Sequence, residues 1–410
     1  MIYNQQGGLC PPFFLKGIKK VTTVIKSGGI LEIGSGAIIL DGTSALAVPP
    51  PTINTLTLSN PSKLHYDFND TNTGGLITYV VSTGTKVREM TISGSTVTFG
   101  SEVAKSGTGS PSYSRGFVRR YQSGGTPNYL AFSGNSTVDI NARAYNSSAV
   151  AQTTDTTIDS DTFNQAAFGS RNVAGSQVML FSRDSSGIQY YVVTESGGSI
   201  SVQNSGTVVS SGSPNMINAT DGVTDGRGLI LHSVSPGSSP VLRAYSITGN
   251  NYSESSTLSL ASSNASDRMI NQIAAVSTDI AVVLFWDNSV NEWTLIKVTG
   301  AEGTLALSGS KYVPVPGHAQ IHSIVLTRLD STRALLGWAD GNDINYQAVD
   351  CSGASPVLTG SVKTLTRPVS MIYAFSASGY SGYWQYMSDG NVMAAWDEGN
   401  DFKFAILNDL

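Results

Sequence analysis

The sequence predicts an all-β protein: a seven-bladed β-propeller closed by an N-terminal strand, with a short N-terminal β arm in front of it. Three observations lead to this prediction. Long segments with the 3.6-residue period of amphipathic helices do not occur. Short apolar runs instead alternate with clusters of Gly, Ser, Asn and Asp, the pattern of strands and turns. These runs recur about every fifty residues, which is typical of propeller blades.

The clearest repeat covers Ile321–Thr366 and divides into four strands. The predicted strands are Ile321–Leu329, Arg333–Ala339, Ile344–Asp350 and Val357–Leu365. Seven such units are visible, and each has one strongly apolar second strand. These second strands are Leu76–Val81, Tyr129–Phe132, Val178–Phe181, Leu229–Leu231, Ala281–Trp286, Ala334–Trp338 and Val392–Trp396. Four strands per unit at this spacing indicate blades arranged around an axis.

The last unit contains only three strands before the chain reaches Leu410. A propeller that lacks one strand leaves a sheet edge exposed. The run Ile53–Ser59 resembles a strand and lies before the first complete unit. We therefore expect it to supply the fourth strand of the last blade and to close the ring. The alternative is that it forms only a linker strand.

The chain is predicted to have two parts, an arm at 1–52 and the propeller at 53–410. The run Pro49–Pro51 indicates an extended, semi-rigid linker between them. The arm is too small and too rich in Gly to bury a large core of its own. Its apolar residues need a partner surface, so we expect the arm to attach the protein to other proteins or to form a homo-oligomer. The alternative is that the arm packs on its own propeller.

The composition excludes some classes of function. Charged residues make up 13 % of the chain, against about 25 % in an average protein. The 24 Lys and Arg are outnumbered by 29 Asp and Glu, giving a net charge of −5. A general nucleic-acid surface needs clustered basic charge, so none is expected. The longest apolar run, Ile280–Trp286, is far below the ~20 residues of a membrane helix, so no membrane insertion is expected.

No metal site or cofactor is predicted. The two cysteines, Cys10 and Cys351, are too few for a disulfide scaffold and form no metal-binding pair. His318 and His322 have the spacing of a helical zinc pair, but they flank a predicted strand. On a strand they would lie roughly 13 Å apart, too far to share one ion.

A ligand site is predicted on the face formed by the blade-to-blade turns and the turns between second and third strands. Three of these turns place a Trp just before an Asp. Aromatic rings can pack on the apolar face of a sugar, and carboxylates accept hydrogen bonds from its hydroxyl groups. The alternative is that the Asp residues only form tight turns and the Trp residues fill the core. The candidate residues are Trp286, Asp287, Trp338, Asp340, Asp343, Trp396 and Asp397.

The polar but weakly charged β repeats, the turns rich in Ser, Thr, Gly and Asn, and the small N-terminal arm resemble virion proteins of tailed bacteriophages. The resemblance covers composition and architecture along the whole chain and includes tail fibres and capsid-decorating fibres. It implies localisation in the virion and a structural or adhesive role without catalysis. No individual residue is carried over from it.

We therefore expect residues 1–50 to contact other virion proteins and the propeller to bind a glycan or protein on a host surface. One alternative is a propeller-fold glycan hydrolase or lyase, which needs a pair of carboxyl groups. Its candidate groups are Asp287, Asp340 and Asp397. A second alternative is a purely structural tail or capsid component.

Overall fold

The computed structural model divides the chain into two compact units, Met1–Pro50 and Pro51–Leu410. The residues it describes are 25–26, 30–33, 36–39, 50–58, 62–81, 84–105, 116–123, 126–134, 139–160, 165–173, 177–184, 187–210, 216–224, 226–233, 239–260, 272–287, 289–317, 324–340, 343–366, 383–398, 401–408 and 410.

The first unit contains a three-stranded antiparallel sheet within its described residues. Its strands are β1 (Ile25–Lys26), β2 (Ile30–Ile33) and β3 (Gly36–Ile39). Apolar residues dominate these strands, and Gly and Ser stand between them in the sequence. The predicted β arm is confirmed, while its role in attachment stays a prediction.

The second unit contains seven antiparallel sheets in its described residues, and in five of them the four strands follow chain order. Before the first sheet comes β4 (Ile53–Thr57). Blade 1 consists of β5 (Ser62–Phe68), β6 (Gly74–Val81), β7 (Gly84–Ser93), β8 (Thr96–Phe99) and β9 (Val103–Ala104). Blade 2 consists of β10 (Gly116–Ser123), β11 (Thr126–Gly134), β12 (Ile140–Asn146) and β13 (Thr156–Asp159). Blade 3 consists of β14 (Gln165–Val173), β15 (Gln177–Asp184), β16 (Gly187–Ser196) and β17 (Ser199–Ser210).

The remaining blades follow the same order. Blade 4 consists of β18 (Met216–Thr224), β19 (Arg227–Ser233), β20 (Pro240–Thr248) and β21 (Asn251–Ser259). Blade 5 consists of β22 (Gln272–Ala275), β23 (Ile280–Asp287), β24 (Glu292–Thr299) and β25 (Ala306–Tyr312). Blade 6 consists of β26 (Ile324–Arg328), β27 (Arg333–Asp340), β28 (Asp343–Asp350) and β29 (Val357–Thr366). Blade 7 consists of β30 (Tyr383–Tyr386), β31 (Val392–Glu398), β32 (Asp401–Leu407) and β4.

The sheets form a closed ring. The first strand of each blade contacts the first strand of the next, and β30 contacts β5 to complete the circle. The core lies between the blades, because each of the seven apolar clusters among the described residues joins two neighbouring sheets. The predicted seven-bladed propeller is therefore confirmed. The sequence pattern identified no first strand for blades 1 to 4, where these strands carry mixed polar and apolar residues.

The N-terminal strand β4 closes the last blade, as predicted. It pairs antiparallel with β32 from Asp401 opposite Thr57 to Ala405 opposite Ile53. Leu56 points inward, is 5 % exposed and joins the cluster between blades 7 and 1. Asn54 also donates a hydrogen bond of 3.0 Å to the Ser95 carbonyl in blade 1. The strand thus ties the two ends of the propeller together.

Polar side chains on the first strands hold neighbouring blades together. Each accepts a hydrogen bond from a backbone N–H of the next first strand. A buried backbone N–H without a partner is costly, so these bonds satisfy groups that the sheets leave unpaired. Asp67 also accepts a bond of 3.1 Å from Gln385 of blade 7. The acceptor–donor pairs are His65–Val118, Asp67–Arg120, Asp221–Ala275 and Gln272–Leu326.

The outer strands are irregular. Register shifts interrupt the pairing of β13, β17, β21, β25 and β29 with their inner neighbours. Gly309 and Gly360 adopt positive φ at corresponding points of β25 and β29. Irregular edges of this kind discourage pairing with strands of other molecules. The described residues include no helix that is long and apolar enough to cross a membrane.

Ring closure by β4 can be tested with Leu56→Ala. The substitution removes the buried side chain of the closing strand, so we expect a loss of about 2–4 kcal/mol in the free energy of unfolding. The control is Ile53→Ala on the same strand, where the side chain is 37 % exposed and the loss should stay within about 0.5 kcal/mol. Urea unfolding measures both. Equal losses in the two variants would show that β4 does not anchor the ring through Leu56.

Candidate ligand-binding site

The three predicted Trp residues lie inside the propeller. Trp286, Trp338 and Trp396 are 4 %, 6 % and 0 % exposed. Trp286 and Trp338 fill the cluster between blades 5 and 6, and Trp396 fills the one between blades 6 and 7. Strand alternation turns these positions toward a neighbouring blade, so their rings offer almost no surface for a sugar. The expectation of exposed stacking rings is therefore corrected: these residues are core.

The structure does not bring the predicted Asp residues together into one cluster of described side chains. Asp287 is 1 % exposed and accepts hydrogen bonds from Ser289 and from Lys311. Burial raises the pKa of the Asp287 carboxyl, but the bonds from Lys311 and Ser289 outweigh it and hold that pKa below its usual range. Asp340 and Asp343 are paired residues at the adjoining ends of β27 and β28 in blade 6. The Asp397 side chain lies outside the described residues, and ligand binding by these four stays a prediction.

A different set of side chains recurs at one position of the blades. In each blade, one residue of the third strand lies opposite a residue near the middle of the apolar second strand. The side chains of both residues lie on the sheet face that packs against the preceding blade. In blades 1, 2 and 4 this residue is an arginine. The seven pairs are Arg88–Ile77, Arg143–Ala131, Tyr191–Leu180, Arg243–Ile230, Ile296–Val283, Gln347–Leu336 and Ala405–Ala394.

Each of the three arginines has an acidic partner near the outer edge of its blade. Arg88 pairs with Glu102 at 3.5 Å, Arg143 with Asp155 at 2.9 Å, and Arg243 with Glu254. The arginine side chains are 17–21 % exposed, so the pairs lie partly buried between two blades. A half-buried pair of this kind supplies both hydrogen-bond donors and an acceptor at one place.

The blade 3–4 site comprises His232, Arg243, Tyr245, Tyr252 and Glu254. Arg243 donates from Nε to His232 Nε2 at 2.8 Å and from Nη1 to Glu254. Burial and the charge of Arg243 lower the pKa of His232 to about 3, so the imidazole is neutral and carries its proton on Nδ1. The Tyr252 ring stacks on Tyr245 with centroids 5.7 Å apart. These contacts hold the Arg243 guanidinium between His232 and Glu254.

Several donors of the blade 3–4 site are unused. The buried Nδ1 of His232 and the buried hydroxyl of Tyr252 have no hydrogen-bond partner in the described part of the chain. Arg243 Nη2 also donates to none of the described residues. Buried polar groups are almost always satisfied, by protein, water or a ligand. Burial raises the pKa of Tyr252, and the charge of Glu254 raises it further, so its hydroxyl keeps its proton.

The corresponding residues in blade 1 are fully engaged. Arg88 bonds through Nε to Tyr79, through Nη1 to the Gly100 carbonyl and through Nη2 to Glu102. Glu102 also accepts a bond from Tyr79 at 2.7 Å and pairs with Lys86 at 3.3 Å. All three nitrogens of this guanidinium therefore have partners within the protein. The cluster is best explained as a link inside blade 1.

The blade 1–2 site comprises Lys105, Ser133, Arg143, Tyr145 and Asp155. Lys105 is 3 % exposed, and its Nζ donates to Ser133 Oγ at 2.7 Å and to Asp155 Oδ1 at 3.2 Å. Burial lowers the pKa of Lys105 to about 8, although Asp155 acts in the opposite direction. A protein side chain thus occupies the acceptors of this site.

The sequence contained a signal for these sites that the repeat analysis missed. The tripeptide Arg-Ala-Tyr occurs at 143–145 and again at 243–245, on the third strands of blades 2 and 4. Two residues apart on a strand, the Arg and the Tyr point to the same face. The described residues contain no group of three His, Cys, Asp or Glu arranged to hold a metal ion. His318 and His322 lie outside the described residues.

No protein-family model matches the sequence, and no curated protein matches it. Many solved structures are similar to the chain at low identity, and three of them illustrate the range. A Lactobacillus plantarum protein is 14 % identical over 76 % of this chain and 87 % of its own, with a TM-score of 0.48. A mutant Aleuria aurantia lectin in complex with Fucalpha1-6GlcNAc is 14 % identical over 75 % and 97 %, with a TM-score of 0.45. The WD40 domain of SCAP from fission yeast is 10 % identical over 87 % and 98 %, with a TM-score of 0.45. Identities this low concern the fold alone, which the strand pairing shows by itself.

The buried ammonium of Lys105 predicts a pH dependence of stability. Its folded-state pKa of about 8 lies below its ordinary value of 10.5, so the unfolded chain binds more protons between these two pH values. The free energy of unfolding of the wild type, measured relative to Lys105→Met, should therefore rise as pH increases from about 8 toward about 10.5. Urea unfolding of both proteins from about pH 7 to about pH 10 measures this difference. A difference that does not change with pH would contradict the lowered pKa.

Proposed function

We propose that this chain is a non-catalytic glycan-binding propeller, which binds a neutral sugar at the blade 3–4 site. The observation that carries the proposal is the set of unused donors around the Arg243–Glu254 pair. Sugar hydroxyl groups both donate and accept hydrogen bonds. Adjacent hydroxyls can therefore accept from Arg243 Nη2 and donate to a Glu254 oxygen at the same time.

The charge balance of the site favours a neutral ligand. Glu254 compensates the charge of Arg243, and His232 is uncharged. An acidic sugar would have to compete with Glu254 for the guanidinium group. The chain as a whole carries a net charge of −5, which also disfavours an anionic ligand. A neutral hexose or deoxyhexose avoids both costs.

The carboxyl groups support binding without cleavage. A glycosidase needs one carboxyl whose pKa is raised, so that it is protonated and acts as a general acid. Among the described residues, the carboxyl groups with a displaced pKa are Glu102, Asp287, Asp330 and Asp350, and all four are shifted downward. These groups remain ionised and serve as hydrogen-bond acceptors. Release of oligosaccharide from a bound glycan would contradict this part of the proposal.

The blade 3–4 site can be tested on an array of neutral and acidic glycans with the full chain and Arg243→Ala. Loss of the guanidinium removes charge-assisted hydrogen bonds worth about 1.5–3 kcal/mol, so we expect affinity to fall about 10- to 100-fold. The matched control is Arg227→Ala in the same blade, whose exposed pair with Glu302 lies on another surface. Thermal unfolding checks that both variants fold. Unchanged binding by Arg243→Ala would refute the site, and binding of acidic glycans only would refute the ligand class.

We also propose that the propeller is displayed on a virus particle to which residues 1–50 attach it. This part rests on the composition of the chain and on the small apolar arm, which needs a partner surface. A rigid ring suits display, because its binding residues lose little conformational entropy when a ligand arrives.

Deletion of residues 1–52 tests the attachment. The shortened chain retains β4 and the blades, so we expect it to fold and to bind glycan but to be absent from purified particles. Gel analysis of particles assembled with the full and the shortened chain measures the incorporation. A shortened chain that still loads onto particles would show that the arm does not attach the protein.

A further inference from the structure

The blade 1–2 site has the same design as the blade 3–4 site. Arg143 and Arg243 occupy the same register, and each is followed two residues later by a tyrosine on the same face. Each arginine pairs with an acid from the outer edge of its blade, Asp155 in one case and Glu254 in the other.

The second strands also correspond. Ser133 lies opposite Asn141, two residues before Arg143, just as His232 lies opposite Val241, two residues before Arg243. Ser133 and His232 therefore lie on the same sheet face as the arginine of their blade. In the blade 3–4 site His232 bonds the guanidinium directly, whereas in the blade 1–2 site Ser133 bonds an ammonium group that comes from outside the blade.

That ammonium group belongs to Lys105, which directly follows β9 of blade 1. Its backbone N–H donates to the Thr85 carbonyl at 3.0 Å, which fixes the residue at the edge of its own sheet. Its side chain then crosses to blade 2, where Nζ donates to Ser133, to Asp155 and to the Asn141 carbonyl at 3.1 Å. An ammonium group has three hydrogen atoms, and all three are used.

Lys105 has the features of an internal ligand. Its side chain makes no hydrogen bond to the described residues of its own blade. It donates instead to three oxygen atoms of the neighbouring blade. Transfer of an ammonium group into this buried position has a cost, which only its three acceptors offset. A purely structural filler of the same volume would be apolar and would carry no such cost.

We propose that the blade 1–2 site is a second binding site for the same class of neutral sugar, kept closed by the side chain of Lys105. The proposal rests on the glycan-binding function assigned to the blade 3–4 site. In the closed state Lys105 Nζ takes the Asp155 and Ser133 oxygens to which sugar hydroxyls would donate. Removal of the lysine side chain leaves Arg143, Ser133 and Asp155 in place with room beside them.

The test is isothermal titration calorimetry with the methyl glycosides of glucose, galactose, mannose and fucose, each used separately. The proteins are the wild-type full chain, Lys105→Ala, Arg243→Ala and the double variant. We expect one site per chain in the wild type, two in Lys105→Ala and one in the double variant. In Arg243→Ala the affinity falls about 10- to 100-fold, so no binding heat is expected at the sugar concentrations that saturate the wild type. The matched control is Lys105→Met, which keeps the volume of the side chain without its charge and should keep the stoichiometry at one. It separates the space that Lys105 fills from the charge that it carries.

The outcomes distinguish this proposal from the proposed function. A wild type that binds one sugar, with no second site in Lys105→Ala and no binding in the double variant, would overturn the closed second site alone. Binding in Lys105→Ala without binding in the wild type would support the closed site and refute the blade 3–4 site. Absence of binding in both would overturn the two proposals together. If circular dichroism shows that Lys105→Ala is unfolded, Lys105→Ser replaces it in the same experiment.

Discussion

The propeller depends on the hydrogen bonds between the first strands of neighbouring blades. Each first strand pairs with its second strand on one side only, so its other edge leaves backbone groups without a sheet partner. Asp67, Asp221 and Gln272 satisfy such groups on the next blade. Because each bond crosses from one sheet to the following one, the same contacts that satisfy the inner edges also fix the spacing between blades. The strand β4 completes this arrangement at the outer edge of blade 7.

This fixed spacing explains why charged pairs can lie between the blades. Two packed sheets keep their facing side chains at a constant separation, and an arginine on the third strand then reaches an acid at the outer edge of its own blade. Each pair is only partly exposed to water, because the side chains of Arg88, Arg143 and Arg243 are mostly buried between the blades. The three pairs differ in what surrounds them. In blade 1 every nitrogen has a partner, in blade 2 a lysine fills the site, and in blade 4 donors remain.

The same packing of blade against blade buries the Trp residues that precede the turns. A Trp close to an Asp in sequence suggests a surface for a sugar, but the second strand is the most buried strand of its blade. Trp286 and Trp396 lie on that strand, and alternation directs their rings into the clusters between blades. Burial on both faces of the sheet, rather than proximity to a turn, determines what these rings do.

The sequence by itself determined the fold class, the number of blades and the closing strand, because burial on both sheet faces imposes apolar second strands at a fixed period. For the arginine clusters of blades 2 and 4, the sequence contains one signal, the tripeptide Arg-Ala-Tyr at 143–145 and again at 243–245. Their meaning required the tertiary structure. A pattern of three residues cannot show that Asp155 and Glu254 lie beside the arginines, nor that Lys105 of the preceding blade donates to Ser133 and Asp155. Those contacts join residues from separate strands and blades, and only the packing of sheet against sheet brings them together.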